Sequence, residues 1–211
     1  MSALLLSLNE ARVLASLVEK SLTTPQYYPM TVNGVMLASN QKNSRSPVMS
    51  LSEGDAGAAL NQLEAQRLVK RDETSGRAVK WRHQFQHQLL LKTGGVAVLA
   101  TLMLRGPQTL AEIRANASGL NGPADIDGVQ AVLDDLADRA SPLVKQLPRG
   151  AGQSTVRYAH LLCGEDAIPA VVESAGSSSS GGGGNAALVA QLLERIEALE
   201  SRVAELERAL S

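Results

Sequence analysis

Two stretches of this chain pass through the same order of local signals, and that order limits the possible folds more than any other feature. In the first, Ser7-Leu8-Asn9-Glu10 fits a capping box, in which Ser7 and Glu10 satisfy each other's free backbone amides. Leu14, Leu17 and Val18 then recur at helical spacing, which predicts a helix to about Lys20. Thr23-Thr24-Pro25 stops it, and Tyr27-Tyr28-Pro29 continues as an extended connection. Thr31 can cap a short helix through Val35 and Leu37. A polar loop from Asn40 to Pro47 follows, and Ser52 with Asp55 opens a third helix carrying Leu60 and Leu63 on one face. Leu68 to Arg71 and Ala78 to Trp81 are short strand-like runs around Thr74-Ser75-Gly76, which reads as a hairpin.

The second stretch repeats the order with little residue identity. Val96, Leu99, Leu102 and Met103 mark a helix that ends at Arg105-Gly106-Pro107. Thr109 and Glu112 form another capping box, and Asp125 caps a longer helix with Val129, Val132, Leu133 and Leu136 inward. Leu143 to Leu147 and Val156 to Leu161 flank Arg149-Gly150-Ala151-Gly152-Gln153, a second hairpin. Three helices and a hairpin is the order of a winged helix-turn-helix. The predicted fold class is therefore mainly α with small β-hairpin wings, as two tandem winged units plus a C-terminal coiled-coil helix. The expected boundaries are 1–90 and 91–163 for the two units, 164–187 for a Ser/Gly-rich linker, and 188–211 for the coil.

The linker contains four serines and then four glycines from Ser177 to Gly184, with nothing to bury. After it the apolar residues lock to a heptad. Val189, Ile196, Val203 and Leu210 fall at a, and Leu192, Leu199 and Leu206 fall at d. β-Branched residues at most a positions with Leu at d favour a parallel pair. Arg195 and Arg202 at g reach Glu200 and Glu207 at the partner's next e position. The expected partner is a second copy of the chain, as a parallel homodimer. The competing reading is an amphipathic helix packed on its own domain, which usually shows a wider apolar stripe.

One further pattern is long and specific. It comprises Leu17-Val18-Glu19-Lys20, Thr23-Thr24-Pro25, Tyr28 to Gly34, Asn40-Gln41-Lys42, Arg45, Pro47-Val48-Met49 and Leu51-Ser52-Glu53. Leu102 to Thr109 and Arg157-Tyr158-Ala159-His160-Leu161 extend it. The pattern resembles the YceH family of uncharacterised bacterial proteins over roughly residues 5–163. The resemblance implies a tandem winged-helix fold, with a C-terminal coil similar to that of members. It implies no activity.

The residue chemistry argues against catalysis. His83, His87 and His160 lie outside metal-ligand spacing, and Cys163 has no local partner motif. Asp134, Asp135 and Asp138 lie opposite Leu133 and Leu136 on one helix, so a solvated face explains them. The expectation is a non-enzymatic protein with no cofactor and no metal. A single cysteine, no signal-peptide pattern at Leu4-Leu5-Leu6 and no long apolar run lead to an expected cytoplasmic location with no membrane partner.

Charge decides where a polyanion would bind. Residues 1–90 carry ten Lys/Arg against seven Asp/Glu, residues 91–165 balance at seven each, and residues 166–211 carry three against seven. The third helix of each unit holds acids and almost no cations, which repels phosphate. The cations sit in the preceding loop and the first wing instead. The expected nucleic-acid-binding residues are therefore Gln41, Lys42, Asn43, Arg45, Lys70, Arg71, Arg77, Lys80 and Arg82. On this reading the protein is a dimeric DNA-binding regulator or accessory factor that grips backbone through its wings. The alternative is a protein-interaction adaptor that presents its acidic helices to a protein partner. For the wing cations the competing explanation is a solvated hairpin, and for Asn40 and Asn43 it is local capping.

Overall fold

A computed structural model describes residues 4–72, 78–149 and 155–168. Each helix start that the sequence marks has its cap in place. In α1 (Leu8–Thr23) the Glu10 amide donates to Ser7 Oγ at 3.2 Å and the Ser7 amide to Glu10 Oε2 at 2.9 Å. The helix runs three residues beyond the expected end, to the point where Thr24 precedes a 3-10 turn at Pro25–Tyr27. Thr31 caps α2 (Val32–Ser39), and Ser52 with Asp55 forms the capping box of α3 (Glu53–Ala65). Strands β1 (Val69–Asp72) and β2 (Lys80–His83) pair antiparallel, with Lys70 opposite Arg82 and Asp72 opposite Lys80. A one-turn helix, α4 (Phe85–Gln88), follows where the sequence shows no helical period.

The second series is α5 (Thr93–Arg105), α6 (Leu110–Ala117), α7 (Ile126–Ala137), β3 (Val144–Leu147) and β4 (Arg157–His160). Gly106, with φ +72°, ends α5 in a conformation that costs a side-chain-bearing residue far more. A 3-10 turn at Ser118–Leu120 separates α6 from α7. The described chain is thus mainly helical with two small antiparallel sheets.

The repetition extends to hydrogen bonds far apart in sequence. Met30, two residues before α2, exchanges backbone bonds of 3.2 and 2.8 Å with Trp81, the second residue of β2. Gln108, two residues before α6, does the same with Tyr158, the second residue of β4, at 3.0 and 2.8 Å. Each hairpin is thereby tied to the start of its own second helix.

The two series share one core. Residues 11–18 of α1 and 95–104 of α5 are all buried, so these helices meet neighbours on every side. Leu14 and Leu17 of α1 and Leu99 and Leu102 of α5 belong to the same apolar cluster. Side chains of this size contribute roughly 1.5–3 kcal/mol each when fully buried. Polar ties reinforce the junction. The Ser46 amide donates to the Leu104 carbonyl at 2.9 Å, Arg105 to Ser44 Oγ at 2.7 Å, and the Leu6 amide to the Leu162 carbonyl at 2.7 Å.

The described residues all belong to one compact body, residues 1–172. Gly164 to Ile168, expected as the start of the tether, make a further turn closed by a bond from the Ile168 amide to the Glu165 carbonyl. The rest of the expected linker and the coil, including the heptad positions Val189 to Leu210, lie outside the described residues. Among the described residues no helix is long and apolar enough to cross a membrane.

Candidate nucleic-acid interface

The motif residues of the 40–51 loop divide sharply between interior and surface. On α1, Arg12, Ser16 and Glu19 stand at spacing i, i+4, i+7, a polar stripe beside the buried Ala11, Val13, Leu14, Ala15, Leu17 and Val18. The C-terminal end of α2 meets this stripe. Arg12 donates to the Ser39 carbonyl at 3.3 Å and to the Pro47 carbonyl at 2.7 Å. Arg45 donates to the Ala38 carbonyl at 2.8 and 3.2 Å and grips both oxygens of Glu19 at 3.0 and 2.6 Å. Two guanidinium groups thus satisfy carbonyls that the end of a helix leaves without partners. Burial and the charge of Arg45 press Arg12 down to about 10, which leaves it protonated at neutral pH. Asn40 holds the far side of the loop, exchanging two bonds of 2.8 Å with the backbone of Leu51.

Arg45 therefore leaves the candidate interface. Its residue exposure is 6%, and its donors are spent on Glu19 and on backbone carbonyls. Gln41 is exposed, but its Oε1 already accepts from Lys20 and Arg45 at 3.2 Å each. Lys42 and Asn43 are exposed beside it. The sequence signal for this arrangement was present in the polar stripe on α1, but its partners on α2 and the following loop lie 23 or more residues away.

The first hairpin has one inward and one outward face. Val69 and Trp81 turn to the core, and the Arg71 guanidinium lies 5.1 Å from the centre of the Trp81 ring. Arg71 also pairs with Glu64 at 3.1 Å. The outward face carries Lys70, Asp72, Lys80 and Arg82. Arg82 bonds Asp72 at 2.7 Å and lies 5.7 Å from the centre of the Tyr28 ring. Lys70 is exposed and has no ion pair among the described residues. Arg77 lies outside the described residues.

Lys70 also borders two polar clefts of ≈ 400 Å³ each at the base of this hairpin. One adjoins Arg67 and Gln88, the other Tyr28 and Arg82, and both include Gln84 and His87. His83 lines the second cleft, with Nε2 3.0 Å from Ser21 Oγ. Burial, with the charge of His87, pushes its imidazole down to about 4, so it is neutral at pH 7.

The second hairpin offers fewer free cations. Lys145 pairs with Glu165 at 2.7 Å and Arg157 with Glu112 at 2.9 Å. On α7 the exposed residues include Asp127, Asp134 and Asp135, and Asp138 at its C-cap is exposed too. No group of three or more His, Cys, Asp or Glu side chains is placed to hold a metal among the described residues. Burial raises the Cys163 thiol to about 12, so it carries no thiolate at neutral pH.

These features define a mainly helical protein of two fused helix–hairpin series, in which, among the described residues, the basic face lies on the first hairpin. The family model that matches residues 6–153 is described as a protein of unknown function, DUF480, and the chain belongs to that family. It is similar to a UPF0502 protein of Azoarcus sp. strain BH72, 44% identical over 201 residues, which are 95% of this chain and 88% of that one. A UPF0502 protein of Geobacter sulfurreducens is 42% identical over 200 residues, 93% of this chain and 88% of its own. One of Pelobacter propionicus is 41% identical over 210 residues, 98% and 95% of the two chains.

Proposed function

We propose that this protein is a non-enzymatic, tandem winged-helix DNA-binding regulator or accessory factor, joined in pairs by the heptads of residues 188–211. The winged-helix description rests on the repeated element order and on the matched Met30–Trp81 and Gln108–Tyr158 ties. It is also what the resemblance to YceH implies. The observation that carries DNA binding is the like-charge pair Lys70–Arg82, set directly opposite on the outward face of the first hairpin. Like charges placed this way destabilise a hairpin. Asp72 bonds Arg82, but Lys70 is exposed and has no ion pair among the described residues, so three cations against one acid leave the face a positive field that suits phosphate.

The test is duplex binding at several salt concentrations, with wild type and with Lys70→Ala and Lys80→Ala. Each substitution is expected to reduce the magnitude of the log–log salt slope by about 1 and to weaken all sequences alike. Wild type that binds no duplex at low salt would overturn the reading. The exposed carboxylates of α7 would then favour the adaptor role, in which an acidic helix face meets a basic protein surface.

A further inference from the structure

The two third helices differ in a way that their sequences conceal. Read as a string, α3 holds Glu53, Asp55 and Glu64 and no cation, which counts against a place beside phosphate. In the fold, two of these acids are already engaged. The Asp55 carboxylate accepts from the Ser52 amide at 2.9 Å and from Ser52 Oγ at 2.6 Å, closing the capping box. Glu64 is paired with Arg71 at 3.1 Å. Only Glu53, in the first turn, has no partner among the described residues. By contrast, Asp127 of α7 and Asp138, which caps its C-terminal end, are exposed without an ion pair.

The exposed stripe of α3 consists of Gly54, Ala58, Asn61, Gln62 and Ala65, apart from its first-turn acids. Small residues let the helix backbone come close to a surface, and two neighbouring amides stand between them. Asn61 Oδ1 accepts from Arg71 Nη2 at 3.3 Å, which holds that amide on the helix surface. Arg71 itself is steadied by the Trp81 ring. Arg67 follows directly after the helix and is exposed. The C-terminal half of α3 therefore presents amides beside the unpaired Arg67 and the Arg71–Glu64 pair, and the acids without a cation, Glu53 and Asp55, lie at the other end.

We propose that the C-terminal half of α3 enters the major groove of B-form DNA and that Asn61 and Gln62 read adenine there. This rests on the DNA-binding reading above and adds sequence selectivity to it. A carboxamide offers one acceptor and one donor, which match the N6 amino group and N7 of adenine. The major groove of B-form DNA admits a helix, whereas that of duplex RNA is too deep and narrow for side chains to read. Arg67, exposed and without an ion pair among the described residues, is placed to meet a phosphate beside the groove.

The experiment is selection of binding sites from a randomised DNA duplex pool by the full chain, comparing wild type with Asn61→Ala and Gln62→Ala. Both positions are exposed on a helix and alanine is the best helix former, so both variants keep the fold, which circular dichroism checks. Wild type is expected to enrich adenine at neighbouring base pairs. Each variant is expected to lose that preference at one base pair by roughly tenfold, the scale of one bidentate contact. Its affinity for the unselected pool should stay within about threefold and its salt slope unchanged, because phosphate contacts are intact. Wild type that binds duplex with no base preference overturns the proposal, as do variants that keep the wild-type preference or tighter binding to duplex RNA. Wild type that binds no duplex at all overturns the DNA-binding reading as well, so the two failures are distinct.

Discussion

Replacing Arg45 with Met would leave the Glu19 carboxylate, whose side chain is 12% exposed, beside a neutral thioether. The fold would lose two bonds to Glu19 and two to the Ala38 carbonyl. Removing one partner of a buried pair costs about 3–5 kcal/mol, because the remaining charge is uncompensated. Lys20 lies 3.1 Å from Glu19 and still offsets part of that charge, so the lower end, ~3 kcal/mol, is expected. Adding Glu19→Gln to Arg45→Met removes the stranded charge and should restore part of the loss. Urea unfolding of the two single variants and the double variant at pH 7 measures the coupling. Acid provides a second reading. Burial alone would raise the Glu19 carboxyl, but the bonds and charge of Arg45, with Lys20, hold it below 4.5. A carboxylate depressed in the fold contributes stability above its unfolded pKa and loses it as pH falls through the folded value. The gap between wild type and Arg45→Met should therefore narrow below pH 4.5. A variant within about 1 kcal/mol of wild type, weakened only in DNA binding, would refute the assignment of Arg45 to the interior.

Two further outcomes follow from the same physical reasoning. Burial pushes His160 down to about 4 from an ordinary 6.5, so it stays neutral in the fold while the unfolded chain takes up a proton below 6.5. Its share of stability is thus complete above pH 6.5 and falls as pH drops towards 4, a window that His83 shares. His160→Gln should flatten the dependence of the urea midpoint on pH across that window, and a curve parallel to wild type would contradict the cause given. Deleting residues 187–211 should abolish or weaken the proposed dimerisation in sedimentation while leaving the thermal transition of the helical body in place. A truncated chain that remains fully dimeric would move the interface to another part of the protein.

Helix starts and the order of elements were legible in the sequence because they depend on residues three or four apart. Ser7 with Glu10, Ser52 with Asp55 and Thr109 with Glu112 each cap the helix they mark. Short strand-like runs around turn residues likewise indicated both hairpins, to within two residues of the strand bounds, since a strand pair needs only a local turn between them. The one-turn α4 and the last turn of α1 were not legible, since a single turn carries no period to detect.

The tertiary structure alone decided which charges remain available. Lys70, Arg71 and Arg45 are all simply basic residues as letters, yet one faces outward, one lies over Trp81, and one is buried against Glu19. Glu64 of α3 likewise counts as repulsive until Arg71 is seen to pair with it. The fusion of the two series through α1 and α5 also had no local signature, because buried apolar helices look alike whatever they pack against. A charge is set by its own residue, but its availability is set by neighbours that only the folded chain brings near.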